Sequence, residues 1–236
     1  MASWNPVRRG AMHHRHLAMG ATMAERGGWQ QPAYYRSADE ELRLLSETVG
    51  LCDISPAGKL KLQGSDLDQL LAAVFPGAGG LPAGGVRRVA GDHGPGPSPV
   101  VLARLALDEI LAVTPTDQAS SLAETLGGGP DRCAHVVDLT SALASVRVTG
   151  PEAGPLLARV TELDASPPAF PDMQCAQAKV AEVHGTLLRL DLGNVPSFDL
   201  YFSRDFGEYM WDALMEAGEP HGVAPVGTDA MARLQR

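Results

Sequence analysis

The sequence has few of the residues that cross-link or metallate small proteins. Its three cysteines, Cys52, Cys133 and Cys175, are too scattered for a disulfide framework or a CxxC zinc site, and they favour a reducing compartment. It also lacks the run of about 18 apolar residues that a membrane-spanning helix needs, and an N-terminal apolar core of the signal-peptide type. We therefore expect a soluble, cytoplasmic protein with no membrane partner.

Positive charge is scarce as well. The chain has 19 Lys and Arg against 28 Asp and Glu, for a formal net charge of -9. Because nucleic acids and anionic membranes are bound largely through Lys and Arg, we expect neither as a main partner. The 236 residues, 44% hydrophobic and 20% charged, are typical of a globular protein with one large domain or two small ones.

One strand-turn-helix pattern occurs twice. "GKLKLQGSDLDQLLAAV" at 58–74 resembles "ASVRVTGPEAGPLLARV" at 144–160, with Gly64 aligned to Gly150. Such units are common, so chance convergence is one explanation and an internal duplication the other. Two duplicated units would pair around a pseudo-twofold axis, and the seam between them is where we expect a ligand pocket.

Local signals predict further elements. Ser37 and Glu40 form a capping box that opens a helix closed by Gly50. A hairpin is predicted around 107–109, and an amphipathic helix over 204–218 with Phe206, Met210 and Leu214 facing inward. A second repeat helix is predicted to begin with a proline, at "PEAGPLLARVTEL", and residues 1–36, which show little periodicity, are expected to lie across a domain surface.

Other groupings carry weaker signals. His13, His14 and His16 lack a second ligand group at metal-binding spacing, so we expect no metal and a surface or hinge segment. "GAGGLPAGG" lacks the Walker lysine and the spacing of a dinucleotide loop, which favours a flexible connection over a phosphate site. Cys52 is expected to be a core thiol.

Taken in order, several segments resemble one family. "HHRHLAMGATMAERGGWQQPAYY", "VGLCDISPAGKLKLQG", "GTLLRLDLGNVPSFDLYFSRDFGEYMWDALMEAG" and "GVAPVGTDAMARL" are similar to the aminomethyltransferase (T-protein) of the glycine cleavage system and to the folate-binding domains of sarcosine oxidase and dimethylglycine dehydrogenase. The resemblance extends over nearly the whole chain.

The resemblance implies an α+β fold with two related α/β half-domains around a central cavity that holds tetrahydrofolate. We assign 1–50 to a lead-in segment and helix, 51–130 to the first half-domain and 131–236 to the second. The family also has a C-terminal barrel domain, and we expect it to be absent here because the sequence stops at "MARLQR".

Two acidic positions of the family are not matched. The acidic pair that the family places near the reactive folate nitrogen aligns with Ser98 and Pro99, and the glutamate that binds the pterin aligns with Val195. None of these residues is a carboxylate. A pterin N–H left without its acceptor loses roughly 1 to 3 kcal/mol per contact.

Other family positions are retained. The resemblance implies cofactor binding by Arg189, Tyr35, Lys59 and Asp53, while Pro56 and Ala57 replace the His and Met of the family segment. For Arg189 the alternative is a structural ion pair on a strand, and for Asp53 a turn-capping role. The catalytic residues stay unknown.

The sequence therefore supports several functions. The first is a tetrahydrofolate-dependent one-carbon transferase acting on an N-methyl or aminomethyl substrate, with a partner chain supplying missing parts. The second is a non-catalytic subunit that scaffolds a heteromeric demethylase or amine oxidase. A third is an enzyme that uses the cavity for another small molecule. The first two predict a protein partner or self-association, because a missing barrel exposes an apolar face.

Overall fold

A computed structural model describes residues 7–91, 98–127 and 134–234. Within these residues the chain forms three β-sheets and seven α-helices. The helices are α1 (His13–Ala18), α2 (Ala38–Glu47), α3 (Leu67–Val74), α4 (Ala119–Gly127), α5 (Ala153–Leu157), α6 (Gly207–Gly218) and α7 (Thr228–Leu234).

The N-terminal segment forms a small sheet of its own. Strands β1 (Arg8–Arg9), β2 (Thr22–Arg26) and β3 (Trp29–Tyr34) lie in the order β1-β3-β2, with α1 between the first two along the chain. Met12 and Trp29 are almost fully buried. The expectation of a segment that only crosses a surface is wrong, because single apolar residues here pack inward without the periodicity of a long element.

Five antiparallel strands form the first large sheet, in the order β6-β7-β8-β5-β9. They are β5 (Gly58–Gly64), β6 (Val86–Gly91), β7 (Ser98–Ala106), β8 (Glu109–Thr114) and β9 (Ala134–Asp138). One face packs against α3 and α4, where Leu60 and Leu62 meet Leu71 and Leu122. The predicted alternation of β5 and the hairpin around 107–109 are confirmed.

Six strands form the second large sheet, in the order β11-β12-β13-β10-β4-β14. They are β4 (Val49–Asp53), β10 (Leu143–Thr149), β11 (Cys175–Val180), β12 (Val183–Arg189), β13 (Ser197–Ser203) and β14 (Val223–Pro225). Only the β4 and β14 pair is parallel among the described strands of this sheet. Helices α5 and α6 cover one face, with Trp211 fully buried among them.

Five strands of each large sheet follow the same order, and β14 adds a sixth at the edge of the second sheet. β5 and β10, which carry the sequence repeat, each have a hairpin strand on one side and a short strand on the other. The short strands are exchanged: β4 precedes the first unit but pairs with β10, and β9 precedes the second unit but pairs with β5. This shared topology favours duplication over chance convergence and ties each half to the other.

The inner faces of the two sheets meet in an apolar seam. Val86, Ala103 and Leu111 from the first half pack with Leu188 and Tyr201 from the second. The α+β architecture with two related halves around a central cavity is therefore as expected.

The helix predictions are confirmed with three corrections. Gly50, expected to close the first helix, lies in β4, because α2 ends at Glu47 with Thr48 as its C-cap. Ser37 and Glu40 form the predicted capping box of α2. The prediction that Phe206 faces inward is wrong, because Phe206 lies in the 3-10 turn before α6 and is 45% exposed. Helix α5 is only five residues long, and Pro151 precedes its N-cap Glu152 instead of occupying the first helical position.

Candidate functional site

A cavity of about 790 Å³ lies between the two large sheets. The first sheet contributes Pro99, Val101 and Val113, and the second contributes Arg147 and Tyr201. Arg88 of β6 and Asp199 of β13 also line it, and Ile54, Ala57 and Asp191 from loops and Leu234 from α7 complete the wall. The volume falls within the range of about 300 to 1,000 Å³ that small-molecule sites occupy.

Arg147 and Asp199 form the polar part of this wall. They are register partners on β10 and β13, and the guanidinium donates from Nε to Oδ1 at 2.5 Å and from Nη2 to Oδ2 at 2.7 Å. Although burial opposes its charge, the Asp199 carboxylate holds the pKa of Arg147 above its ordinary value. The pair is thus a bidentate, charge-compensated unit on the inner face of the second sheet.

Tyr201 extends the same unit. Its hydroxyl donates to Oδ2 of Asp199 at 3.2 Å, and its side chain is almost completely buried. Burial, reinforced by Asp199, raises the pKa of Tyr201 well above its ordinary value. Tyr201 therefore stays protonated and serves as a hydrogen-bond donor to the carboxylate.

Two of the residues predicted to bind cofactor, Asp53 and Tyr35, are joined through His16. Oδ2 of Asp53 lies 3.0 Å from Nε2 of His16, and the Tyr35 hydroxyl lies 2.8 Å from Nδ1. His16 is 1% exposed, and its ring meets that of Trp211 edge to face at 4.8 Å between centroids. Burial raises the pKa of the Tyr35 hydroxyl.

Lys59, also predicted to bind cofactor, is fully buried. Its amine donates to the carbonyl oxygens of Ser55 at 2.6 Å and Ala57 at 2.8 Å. Desolvation lowers the pKa of Lys59 to about 8, against a smaller opposing effect of Asp53. Because the amine is directed at backbone carbonyls, Lys59 holds the turn that follows β4.

This turn is part of the cavity wall. Ile54 and Ala57 line the cavity, whereas Asp53 accepts the backbone N–H of Ser55 at 2.8 Å and Lys59 binds the same turn. Asp53 and Lys59 themselves are not among the lining residues. These two predicted residues thus lie behind the wall and orient it.

Arg189 lies apart from this group. Its guanidinium binds Asp191, with Nη2 to Oδ2 at 2.9 Å, donates from Nη1 to the Phe170 carbonyl at 2.7 Å and covers the Phe198 ring. It lines a separate, mainly apolar pocket of about 370 Å³ beside Pro196. The predicted alternative for Arg189, a structural ion pair on a strand, describes these contacts. Asp191, the partner in that ion pair, lines the central cavity.

The positions aligned with the family acids differ in placement. Pro99 lies in the cavity wall, whereas Val195 pairs with Leu192 in a tight turn and is not among the lining residues. Ser98 starts β7, and its side chain, like Cys133, is outside the described part of the chain. Neither Pro99 nor Val195 has an ionisable group.

The sequence prediction missed Arg147, Asp199, Tyr201 and His16. For Arg147, Asp199 and Tyr201 the sequence signal was alternation, since charged or hydroxyl residues alternate with apolar ones in "SVRV" and "FDLYF". This alternation places the polar side chains on the face of the sheet opposite the helices. The prediction that the histidines lie in a surface segment is wrong for His13 and His16, which are 5% and 1% exposed.

Among the described residues no group of three or more His, Cys, Asp or Glu could hold a metal ion. Burial raises the pKa of Cys52 to about 12 and that of Cys175 to about 11, in keeping with core thiols. No helix in the described ranges has the length and hydropathy to cross a membrane.

The family model described as "GCVT N-terminal domain" matches residues 12–236. The sarcosine oxidase subunit alpha of Rhizobium meliloti is 27% identical over 98% of this chain, and the chain spans a quarter of that protein, 25%.

Two solved structures share the fold. The glycine cleavage system aminomethyltransferase T of Bartonella henselae gives a TM-score of 0.83 at 20% identity, covering 97% of this chain and 62% of that one. A chain of the heterotetrameric sarcosine oxidase of Corynebacterium sp. U-96, solved with pyrrole 2-carboxylate, gives 0.66 at 23% identity, covering 93% of this chain and 98% of that one.

Proposed function

Because the chain belongs to the GCVT N-terminal domain family, we propose that it binds a tetrahydrofolate in the central cavity and takes part in one-carbon transfer from an N-methyl or aminomethyl amine. The observation that carries the proposal is the cavity of about 790 Å³ between the two halves, with the paired Arg147 and Asp199 on one wall and Pro99, Val101 and Val113 on the other. A bound tetrahydrofolate would supply the nitrogen that accepts the one-carbon unit.

The residues of the cavity fit such a ligand in kind. A planar ring with a hydrogen-bonding edge matches Arg147 and Asp199 on one side and Pro99, Val101 and Val113 on the other. These side chains bind and orient a ring and keep water from it. Pro99 cannot hold or move a proton, and the two carboxylates of the wall, Asp199 and Asp191, are each paired with an arginine.

A partner chain is part of the proposal. One relative is by name a subunit, and one of the two structures is of a heterotetramer in which a chain of similar extent adopts this fold. Sarcosine, an N-methyl amino acid named in both, defines the substrate class we propose. Retention of the cavity without the family acids fits a chain that contributes binding and receives chemical groups from another subunit.

Isothermal titration of the purified chain with tetrahydrofolate and 5-formyltetrahydrofolate tests the proposal. We expect binding by the wild type and its loss in Ala57→Trp, which places an indole into the cavity. Ala73→Trp, on the exposed face of α3, is the matched control and should bind as the wild type does. Absence of wild-type binding at about millimolar ligand, far weaker than typical cofactor affinities, contradicts the proposal.

A second function, a non-catalytic scaffold in a demethylase or amine oxidase, is favoured by the lack of a carboxylate at Pro99 and Val195. It predicts a complex of fixed stoichiometry with a catalytic subunit and unchanged turnover when Ala57→Trp replaces the wild type. If turnover of the reconstituted complex falls in Ala57→Trp but not in Ala73→Trp, the cavity takes part in the reaction and the scaffold function is wrong.

A further inference from the structure

The two walls of the central cavity are unequal although the sheets that form them are related. Arg147 and Lys61 hold corresponding positions, three residues before Gly150 and Gly64. The strand partner of Arg147 is Asp199, whereas that of Lys61 is Leu111. In the second sheet Tyr201 is the strand partner of Ser145. At the corresponding position of the first sheet, Val113 is the strand partner of Lys59. The polar unit was therefore built on one sheet only.

Lys61 does not provide an equivalent unit. Its amine lies 3.2 Å from Glu109, which starts β8 and is at the end of that strand away from Val113, and both side chains are partly exposed. The first sheet presents Val101 and Val113 to the cavity instead. A ligand in the cavity consequently meets the Arg147 and Asp199 pair on one side and, on the other, mainly apolar side chains with Arg88 at the rim.

Within the polar unit, Arg147 is the side chain most exposed to the cavity. Its side chain is 14% exposed, against 3% for Asp199, and Tyr201 is 1% exposed. Nε and Nη2 are used by Asp199, and no hydrogen bond to Nη1 is found within the described residues. Two N–H groups of Nη1 are thus free to donate to a ligand.

The chemistry of the acceptor follows from charge. Asp199 compensates the guanidinium through a bidentate pair, so a ligand carboxylate would place a second negative charge beside Asp199 in a site of low polarity. A neutral carbonyl oxygen accepts from Nη1 without that repulsion. Arg88 at the rim, whose Nη2 donates to the backbone oxygen of Asp191 at 3.4 Å, has no carboxylate partner within the described residues and is better placed for an anionic group.

We propose that Arg147 is the specificity-determining residue of the central cavity and that its Nη1 anchors a ring carbonyl of the ligand. The inference rests on the proposed function, in which that ring is a pterin and the carbonyl is the oxygen at its position 4. The anchored edge faces β10 and β13, and the opposite side of the ring lies against Pro99, Val101 and Val113. Selectivity is then for a carbonyl over an amino group at that position.

A matched pair of probes tests the anchor. Tetrahydrofolate and tetrahydroaminopterin differ at position 4, which carries oxygen in the first and an amino group in the second, and they have the same glutamate. We expect the wild type to bind tetrahydrofolate at least tenfold more tightly, since an N–H of Nη1 facing an amino group loses its acceptor. The ratio of the two dissociation constants is the readout.

The variant is chosen so that it folds. Arg147→Met alone would leave Asp199 buried without its counter-ion, so the test uses R147M/D199L/Y201F, which removes the polar unit as a whole and resembles the apolar wall of the first sheet. Its thermal unfolding transition should stay cooperative. We expect the ratio to fall to near one in this variant and to stay as in the wild type in Lys61→Met, at the corresponding position of the first sheet, whose amine faces Glu109 and not the cavity.

Each outcome is decisive. A ratio near one in the wild type, or a ratio that the triple variant leaves unchanged, overturns the anchor while tetrahydrofolate binding still supports the proposed function. A wild type that binds neither probe contradicts the proposed function and the anchor together. Loss of discrimination in the triple variant alone supports the anchor.

Discussion

The Asp53 carboxylate and the His16 imidazole meet at 3.0 Å in the interior, joining the end of β4 to helix α1. Because a carboxylate only accepts, Nε2 of His16 donates to Asp53, and Nδ1 lies 2.8 Å from the Tyr35 hydroxyl. Three residues from separate parts of the N-terminal region thus form one hydrogen-bonded chain. These hydrogen bonds fix the start of the turn that supplies Ile54 and Ala57 to the cavity.

Removing the hydroxyl of Tyr35 should destabilise the protein. In Tyr35→Phe the buried Nδ1 of His16 loses its partner, and we expect the free energy of unfolding to fall by about 1 to 3 kcal/mol. Tyr34→Phe is the matched control, because Tyr34 is 40% exposed and adjacent in sequence. Urea unfolding followed by circular dichroism measures both variants, and equal stabilities for the two would show that the His16 contact contributes nothing.

Lys59 predicts a pH dependence of stability. Its pKa is lowered to about 8 in the folded protein by burial, from an unfolded value of 10.5. Between these values the unfolded chain binds more protons, so stability rises with pH; below about 8 both states are protonated and the cost of the buried charge is fully present. Relative to Lys59→Met, the wild type should gain about 2 kcal/mol from pH about 7.5 to about 10.

The measurement is urea unfolding of both proteins at several pH values. Lys61→Met, two residues along β5 at a partly exposed amine, is the control, and its curve should run parallel to that of the wild type. A constant difference between wild type and Lys59→Met across this range would mean that the buried amine does not lose its proton.

Arg189 should act mainly on stability. Its guanidinium holds Asp191, the Phe170 carbonyl and the Phe198 ring, and Arg189→Met leaves the Asp191 carboxylate without its cation. We expect a loss of about 3 kcal/mol in the free energy of unfolding, typical of a broken buried pair. Arg159→Met, at an exposed position, should stay within about 0.5 kcal/mol of the wild type. A fully stable Arg189→Met that no longer binds tetrahydrofolate would instead favour the ligand contact that the resemblance implies.

Gly150 is required by the backbone at the turn of the second repeat. Its φ is +134°, and a Cβ there would lie 2.2 Å from the backbone oxygen of Thr48. Gly150→Ala should therefore lower the melting temperature strongly, whereas Gly127→Ala, where a Cβ meets no atom of the described residues within 4 Å, should not. Differential scanning calorimetry compares the two, and an unchanged transition in Gly150→Ala would contradict the requirement.

Local patterns in the sequence were enough for most elements. The capping box at Ser37, the alternation of β5 and the hairpin around 107–109 follow from contacts between near neighbours, so residue types alone determine them. Phe206 was wrong because a 3-10 turn precedes α6 and shifts the helix start, which periodicity does not reveal. The lead-in sheet was missed because its apolar residues are isolated in sequence and become a core only through tertiary packing.

Some features of the site also follow from the sequence alone, and others depend on the tertiary structure. By itself the sequence determined the family, the duplicated unit and the lack of carboxylates at Pro99 and Val195, because these are properties of residue identity and order. Only the tertiary structure decided that β4 and β9 are exchanged between the halves, that Asp53 and Lys59 lie behind the cavity wall, and that Arg147 and Asp199 lie within it. The physical reason is that strand pairing and side-chain burial join residues far apart in the chain, and a charged residue on a strand acquires its partner only when the neighbouring strand and its register are fixed.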